Sequence, residues 1–292
     1  MNRTDGEIIA ALAAEGSQRR AAARLGIHPR TLERRLAGMA VDVAKPKLLV
    51  IDIETSPNIV YTWGLFNQNV AINQILESGR VLCFAAKWYG DEGTVYYSEN
   101  QKGGAERMVR AAHRMMCEAD GIVGWNSQRF DTRWLNQEFF KHNLRRPAGY
   151  KQVDLMRAQK RYRQLASNKL DYASRNLGFG GKAETGGFQL WRDCLAGKRA
   201  AWDTMEAYNR EDVVLTEKHL IRMMQGGWVT GLPNMSLHTG DACPHCGSGK
   251  LKADDYYETQ TRRYQQWVCL DCGSPSRSVK CEPGHASLKE VA

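Results

Sequence analysis

Lys47-Leu48-Leu49-Val50-Ile51-Asp52-Ile53-Glu54-Thr55 begins as an unbroken apolar run and ends by setting two carboxylates two residues apart. An apolar run of this kind reads as a buried strand. Successive side chains alternate across a strand, so Asp52 and Glu54 share one face. Two like charges this close repel unless something cationic lies between them, and a divalent metal ion meets that need. Taken alone, D-I-E also reads as the end of a strand whose acids face water.

Two further stretches weigh on that choice. Gly121-Ile122-Val123-Gly124-Trp125-Asn126 is a second apolar strand ending in a polar residue. Ser127-Gln128-Arg129-Phe130-Asp131 follows, and Trp134, Leu135, Phe139 and Phe140 continue at helical spacing, so Asp131 falls near a strand-to-helix junction. Ala207-Tyr208-Asn209-Arg210-Glu211-Asp212-Val213-Val214-Leu215-Thr216 reads as a helix on which Tyr208 and Asp212, four apart, point from one face.

D-I-E-T, G-W-N-S-Q-R-F-D and Y-N-R-E-D, in that order, resemble the three motifs of the DEDD (DnaQ-like) 3′–5′ exonucleases. The resemblance covers roughly residues 47–225 and is nearest to the proofreading domains of family B DNA polymerases and their stand-alone relatives. It implies an α/β, RNase H-like fold, a mixed sheet flanked by helices. The tyrosine four residues before the last aspartate, with Ala207 where the other subtype has histidine, is similar to the DEDDy subtype. By this resemblance Asp52, Glu54, Asp131 and Asp212 hold two Mg²⁺ or Mn²⁺ ions. Hard cations of this kind take carboxylate oxygens, and two of them about 3.5–4 Å apart activate a water and stabilise the leaving 3′-oxygen. Tyr208 would orient the attacking water, since a free phenol, with a pKa of about 10, is a poor base near neutrality. Asn126 would brace the substrate or the second motif, or cap the next helix, and Phe130 is expected to pack in the core. Val153-Asp154-Leu155 and Lys169–Gly178 resemble the family's connection between its second and third motifs. Asp154 is read there as a structural brace and Gly178 as a helix C-cap. Lys182, in the glycine-rich stretch that follows, is a candidate phosphate contact, although the stretch lacks the G-K-[ST] ending of a P-loop.

The chain has 292 residues, with 41 Lys plus Arg against 32 Asp plus Glu, a net charge of +9. Residues 132–207 carry a net +8 of it, with 15 basic and 7 acidic residues. A basic balance suits a polyanionic partner. Within that stretch Arg157, Arg161 and Arg163, with Lys160 and Tyr162 interleaved, form either a single-strand channel or a solvated helix face. Trp63, Trp88, Trp125, Trp134, Trp191 and Trp202 are expected mostly in the core. The 42% hydrophobic and 25% charged content suits a globular protein and not a disordered one. Mean hydropathy is −0.52, no apolar run suits a bilayer span, and the first sixteen residues lack a signal-peptide pattern, so a cytoplasmic protein without membrane association is expected.

Cys243-Pro244-His245-Cys246-Gly247-Ser248 and Cys269-Leu270-Asp271-Cys272-Gly273-Ser274 are near-duplicate knuckles that resemble a zinc ribbon. Cys243, Cys246, Cys269 and Cys272 would close a tetrahedron around one structural Zn²⁺, with His245 pointing away. Cys281 and His285 are too few for a second site. Arg262, Arg263 and Tyr264 would let the ribbon clamp nucleic acid, or the ribbon binds protein.

At the other end, A-A-A-R-L-G-I-x-x-x-T-L-x-R-R-L resembles the helix-turn-helix of factor-for-inversion-type regulators and resolvases. Ser17 is placed to cap a helix, Gly26 to make the turn and Pro29 to start the next helix. Ile8, Leu12, Leu25, Ile27, Leu32 and Leu36 would be its core, and Arg30, Arg34 and Arg35 would face DNA. A protein-binding helical bundle is the other reading.

The expected organisation is a helix-turn-helix over 1–39, a linker over 40–46, an exonuclease domain over 47–235 and a zinc ribbon with tail over 240–292. The function expected is a metal-dependent 3′–5′ exonuclease on nucleic acid, DNA ahead of RNA, with a polymerase or replication protein as partner in trans. A phage or prophage replication or repair setting fits the size and the modules. The alternatives are a DNA-binding regulator with an inactive nuclease domain and a structure-selective endonuclease.

Overall fold

The computed structural model describes residues 3–15, 17–36, 46–147, 149–181, 185–284 and 286–289. Lys182, His285, residues 40–45 of the expected linker and the side chain of Leu36 lie outside the described residues. The chain divides into two compact units, residues 48–219, and residues 1–47 with 220–292.

The first segment folds as three short helices, α1 (Asp5–Glu15), α2 (Gln18–Leu25) and α3 (Pro29–Leu36). Ile8, Ala11, Leu12, Ala21, Ala22, Leu25 and Leu32 form their common core, with Ile27 packed beside it. Gly26 makes the turn between α2 and α3 at φ 65°, and the N–H groups of Gly26 and Ile27 donate to the carbonyls of Ala23 and Ala22 at 3.2 and 3.0 Å. Ser17 occupies the N-cap position of α2, but its side chain makes no cap hydrogen bond. The capping bonds occur instead at α1, where Glu7 accepts from the Thr4 N–H at 2.7 Å and Thr4 Oγ1 accepts from the Glu7 N–H at 3.3 Å.

Residues 48–219 hold β1 (Leu48–Thr55), β2 (Ile59–Val60), β3 (Ile75–Glu77), β4 (Val81–Trp88), β5 (Val95–Ser98), α4 (Gly104–Glu118), β6 (Gly121–Gly124), α5 (Asp131–Lys141), β7 (Lys151–Asp154), α6 (Leu155–Tyr162), α7 (Leu170–Asn176), α8 (Phe188–Leu195) and most of α9 (Arg199–Met224). The main sheet has the order β5-β4-β1-β6-β7. β5, β4 and β1 run antiparallel, while β1, β6 and β7 run parallel, joined by helical crossovers. This is the mixed sheet with flanking helices that the resemblance implies. Alternation along β1 decides what lies on each face. Leu49, Ile51 and Ile53 point into the core with Met108, Met116, Leu135 and Phe139 of α4 and α5. Each such buried side chain contributes about 1.5–3 kcal/mol. The even positions, Val50, Asp52 and Glu54, therefore face the other way, where Asp52 meets Asn209 of α9. Lys87 and Glu217, both nearly buried, pair across β4 and α9, and Arg210 donates to the Thr94 carbonyl and, at 2.7 Å, to Thr94 Oγ1. These bonds fix α9 against the sheet and so set the position of its carboxylate.

In the other unit, β8 (Leu251–Glu258), β9 (Arg263–Cys269) and β10 (Pro275–Arg277) form a small antiparallel sheet in the order β10-β9-β8. Among the described residues, no helix is long and apolar enough to cross a membrane.

Candidate metal centre and zinc ribbon

Asp52, Glu54 and Asp212 come from β1 and α9, and one ligand oxygen of each lies within 4.8 Å of the others. They open on a cleft of about 370 Å³ also lined by Trp125, Asn126, Phe130, Asp131, Lys169, Asp171 and Tyr208. The structure thus brings all four motif carboxylates and the tyrosine to one cleft. Asp131 stands outside the tightest cluster. It opens α5, is almost fully buried, and accepts a 3.2 Å hydrogen bond from the Ile53 N–H of β1. Burial pushes its carboxyl up to about 7; the backbone N–H groups of Asp131 and Ile53 oppose that rise, and the nearby Asp154 and Asp212 carboxylates add to it. Gathered carboxylates in a half-enclosed cleft repel one another, and an all-oxygen donor set is what a hard divalent cation takes. The residues present therefore fit such an ion.

Asn209 carries a role that the sequence reading missed. It is fully buried and its Nδ2 donates to Asp52 Oδ2 at 2.7 Å. It lies one helical turn before Asp212, and no periodic signal in the sequence sets it apart from the other polar residues of α9.

The loop after β6 shapes the opposite wall. Gly124 has no room for a side chain, because a Cβ there would stand 2.5 Å from Ser127 Cβ. Asn126 adopts φ 63°, and its N–H donates to Asp154 Oδ1 at 3.1 Å, the same oxygen that receives the Arg157 N–H at 3.1 Å. Asp154 thus braces this loop, as expected, and also caps α6. Asn126 is not the cap of α5; Phe130 holds that position. Phe130 also corrects the expectation of core packing, since it is 39% exposed, with its ring 6.4 Å from that of Trp134. It projects from the short loop before α5, outside the packed faces of the helix. Trp125 is held by its indole N–H, which donates to the Asn168 carbonyl at 2.9 Å, and by the ring of His219 at 4.9 Å. His219 is kept neutral, pushed down to about 4 by burial and then by the positive charge of Arg163. Leu177 holds the C-cap position of α7, correcting the expectation for Gly178, which follows it in the left-handed region at φ 73°.

The candidate phosphate contacts are dispersed. Arg157 donates to Gln128, Arg163 donates to Asn176 Oδ1 at 3.3 Å, and Arg161 lies exposed with its guanidinium 5.3 Å from the Tyr162 ring centre. None of them lines the cleft, whereas Lys169 does. Arg30 and Arg34 are exposed on α3, but Arg35 is half-buried and donates to the Arg3 carbonyl, tying α3 to the start of the chain. Trp63 overturns its expected core placement, being fully exposed, while Trp202 is buried.

The two knuckles fold alike. Gly247 N–H donates to the Cys243 carbonyl at 2.9 Å and Gly273 N–H to the Cys269 carbonyl at 2.8 Å, each glycine at positive φ. Cys243 N–H donates to Ser248 and Cys269 N–H to Ser274, at 2.8 and 3.1 Å. The four Sγ atoms lie within 4.8 Å of one another, and the Cys243–Cys272 and Cys246–Cys269 pairs are 3.6 Å apart. A tetrahedron with Zn–S bonds of about 2.3 Å has edges of about 3.8 Å, so the cluster fits one zinc ion. Burial raises the Cys243 and Cys246 thiols, but Cys269, despite the same effect, is drawn down to about 7 by the backbone N–H groups of Cys272 and Asp271 and by neighbouring thiols. His245 and Cys281 belong to no metal-type cluster among the described residues. Arg263 is paired with Glu258 at 2.6 Å.

Comparison with known proteins supplies four findings. No curated protein matches the chain. Residues 6–38 match the family model described as bacterial regulatory protein, Fis family, which agrees with the helix-turn-helix at α2 and α3. A solved family B DNA polymerase from the hyperthermophilic archaeon Pyrobaculum calidifontis is 18% identical, with a TM-score of 0.47, over 77% of this chain and 32% of the polymerase. The chain therefore spans about a third of that protein. The RNase H superfamily model matches residues 75–224, which include Asp131, Tyr208 and Asp212, while β1 with Asp52 and Glu54 precedes the match. With over half of its length matched and the mixed sheet in place, this chain belongs to the RNase H superfamily.

Proposed function

We propose that the protein is a metal-dependent 3′–5′ exonuclease acting on nucleic acid, DNA ahead of RNA. The single observation that carries this reading is the convergence of Asp52, Glu54 and Asp212 to within 4.8 Å on a cleft shared with Asp131 and Tyr208. The RNase H-like nuclease fold and the Fis-type helices support a nuclease that binds nucleic acid.

Asp52, Glu54 and Asp212 would hold a divalent cation, Mg²⁺ or Mn²⁺, and Asp131 would complete the set for a second. Bound there, such ions polarise the phosphodiester and favour deprotonation of a water. Asn209 fixes the rotamer of Asp52 through its amide. Tyr208 orients the attacking water through its hydroxyl. Trp125 and Phe130 give the terminal nucleotide flat walls, and Asn126, with Lys169 nearby, braces its sugar-phosphate. The arginines at 157, 161 and 163 follow the strand away from the cleft, and Lys182 remains a candidate phosphate contact. Cys243, Cys246, Cys269 and Cys272 would hold one structural Zn²⁺, and Arg30, Arg34 and Arg35 would serve duplex binding, Arg35 partly through its bond to Arg3.

The test is release of mononucleotides from 3′-labelled strands of DNA and RNA with Mg²⁺ or Mn²⁺. Wild type should release them, and Asp52→Ala and Asp212→Ala should each abolish release. Absence of metal-dependent cleavage of either nucleic acid overturns the reading in favour of a binding regulator, and internal fragments overturn it in favour of an endonuclease.

A further inference from the structure

Between Glu54 and β4 the chain leaves the sheet as an arm. Residues 56–76 contain no charged side chain, yet the arm is no buried element. Trp63 is 100% exposed, and Leu65, Phe66 and Ile72 are exposed almost as fully. Tyr61 adds a third exposed ring, and the amides of Asn67, Asn69 and Asn73 stand in solvent beside them. Contiguous apolar exposure of this extent marks an interaction surface.

The arm is nonetheless ordered. β2 and β3 pair at its base, Tyr61 N–H donates to the Gln74 carbonyl at 2.9 Å, and Gln74 Nε2 returns a bond to the Tyr61 carbonyl at 2.9 Å. At the neck, Ser56 N–H donates to the Arg80 carbonyl at 2.8 Å and Gly79 N–H to Asn58 Oδ1 at 2.7 Å. The neck is continuous with the candidate site. It begins one residue after Thr55 on the strand that carries Asp52 and Glu54. A Cβ on Gly79 would stand 3.1 Å from the Trp134 ring, which packs in turn on Phe130 of the cleft wall.

We infer that this arm is a platform for the unpaired bases of the strand whose end enters the cleft, an inference that rests on the nucleic-acid reading of that site. The chemistry selects bases over backbone. A phosphate chain calls for cations, and the arm has none; a base presents a neutral aromatic face and hydrogen-bonding edges, which match indole, phenyl and phenol rings flanked by amides. The ordered hairpin holds these rings in place before the strand arrives, which lowers the entropic cost of stacking. Phosphate contacts remain with the basic stretch of residues 132–207.

The test is equilibrium binding of a fluorescent single strand to the zinc-loaded full chain without added Mg²⁺ or Mn²⁺, so that no turnover is needed and an inactive metal centre leaves the readout intact. Because both rings are exposed, Trp63→Ala with Phe66→Ala should fold as wild type does. The double variant should bind a base-bearing strand at least about tenfold more weakly. An abasic strand of equal length should bind both proteins alike, and the slope of affinity against salt should be unchanged, since no counterion is released at the arm. Trp63→Tyr with Phe66→Tyr should restore most of the binding. Equal affinity of wild type and double variant for the base-bearing strand overturns the inference, as does equal weakening on the abasic strand. A wild-type dimer that the double variant converts to monomer assigns the arm to a second copy of the chain and overturns it too.

Discussion

Asp131 and Asn209 bear on the candidate site in opposite ways. Asp131 keeps a carboxylate where burial disfavours its charge, so in metal-free protein it lowers stability at pH above about 7. A folded pKa raised over the unfolded value means that this cost is absent in acid and grows as pH rises from the unfolded value towards about 7. Asp131→Asn keeps the acceptor for the Ile53 N–H and removes the charge. Without added Mg²⁺ or Mn²⁺ its Tm should exceed that of wild type at pH 8, the gain should shrink at lower pH, and nuclease activity should be lost; a melt series against pH checks this. Asn209 acts only through Asp52, by its 2.7 Å amide bond. Asn209→Ala should lower metal affinity or turnover about 10–100-fold while the 3′-end preference is kept, read from Mn²⁺ titration and rate together.

Strand β1 was legible in the sequence because an apolar run broken by acids at alternate positions has few readings, and the pairing of Tyr208 with Asp212 followed from helical spacing. The knuckles were legible because a cysteine pair followed by glycine constrains the backbone almost alone. Phe130 and Trp63 were not, because aromatic mass usually seeks the interior, and their exposure depends on loops whose tertiary course leaves no periodic trace. Asn209 escaped because a single polar residue on a helix has no pattern. For the ribbon, the 3.6 Å sulfur pairs predict one zinc ion per chain, measured by metal analysis. Cys243→Ser with Cys246→Ser should abolish zinc binding and loosen the β8–β9–β10 sheet, seen as faster amide exchange there; retained stoichiometric zinc would refute the ligand set.

Across the chain, a net charge of +9 first indicated only a polyanionic partner, and its +8 concentration in residues 132–207 places it in the unit that holds the carboxylate cleft. The Fis-type helices, with Arg30 and Arg34 exposed on α3, suit duplex contact by a different part of the chain. Arg30→Ala with Arg34→Ala should weaken duplex binding and reduce the salt slope by up to about 2, while cleavage of short single strands continues at the wild-type rate. The most direct measurement follows a 5′-labelled single strand through a time course with Mn²⁺. Labelled products that shorten one nucleotide at a time, and that Asp212→Ala fails to produce, are the expected result. Immediate release of the labelled 5′ nucleotide, or cleavage that survives Asp212→Ala, would contradict a 3′–5′ exonuclease built on these carboxylates.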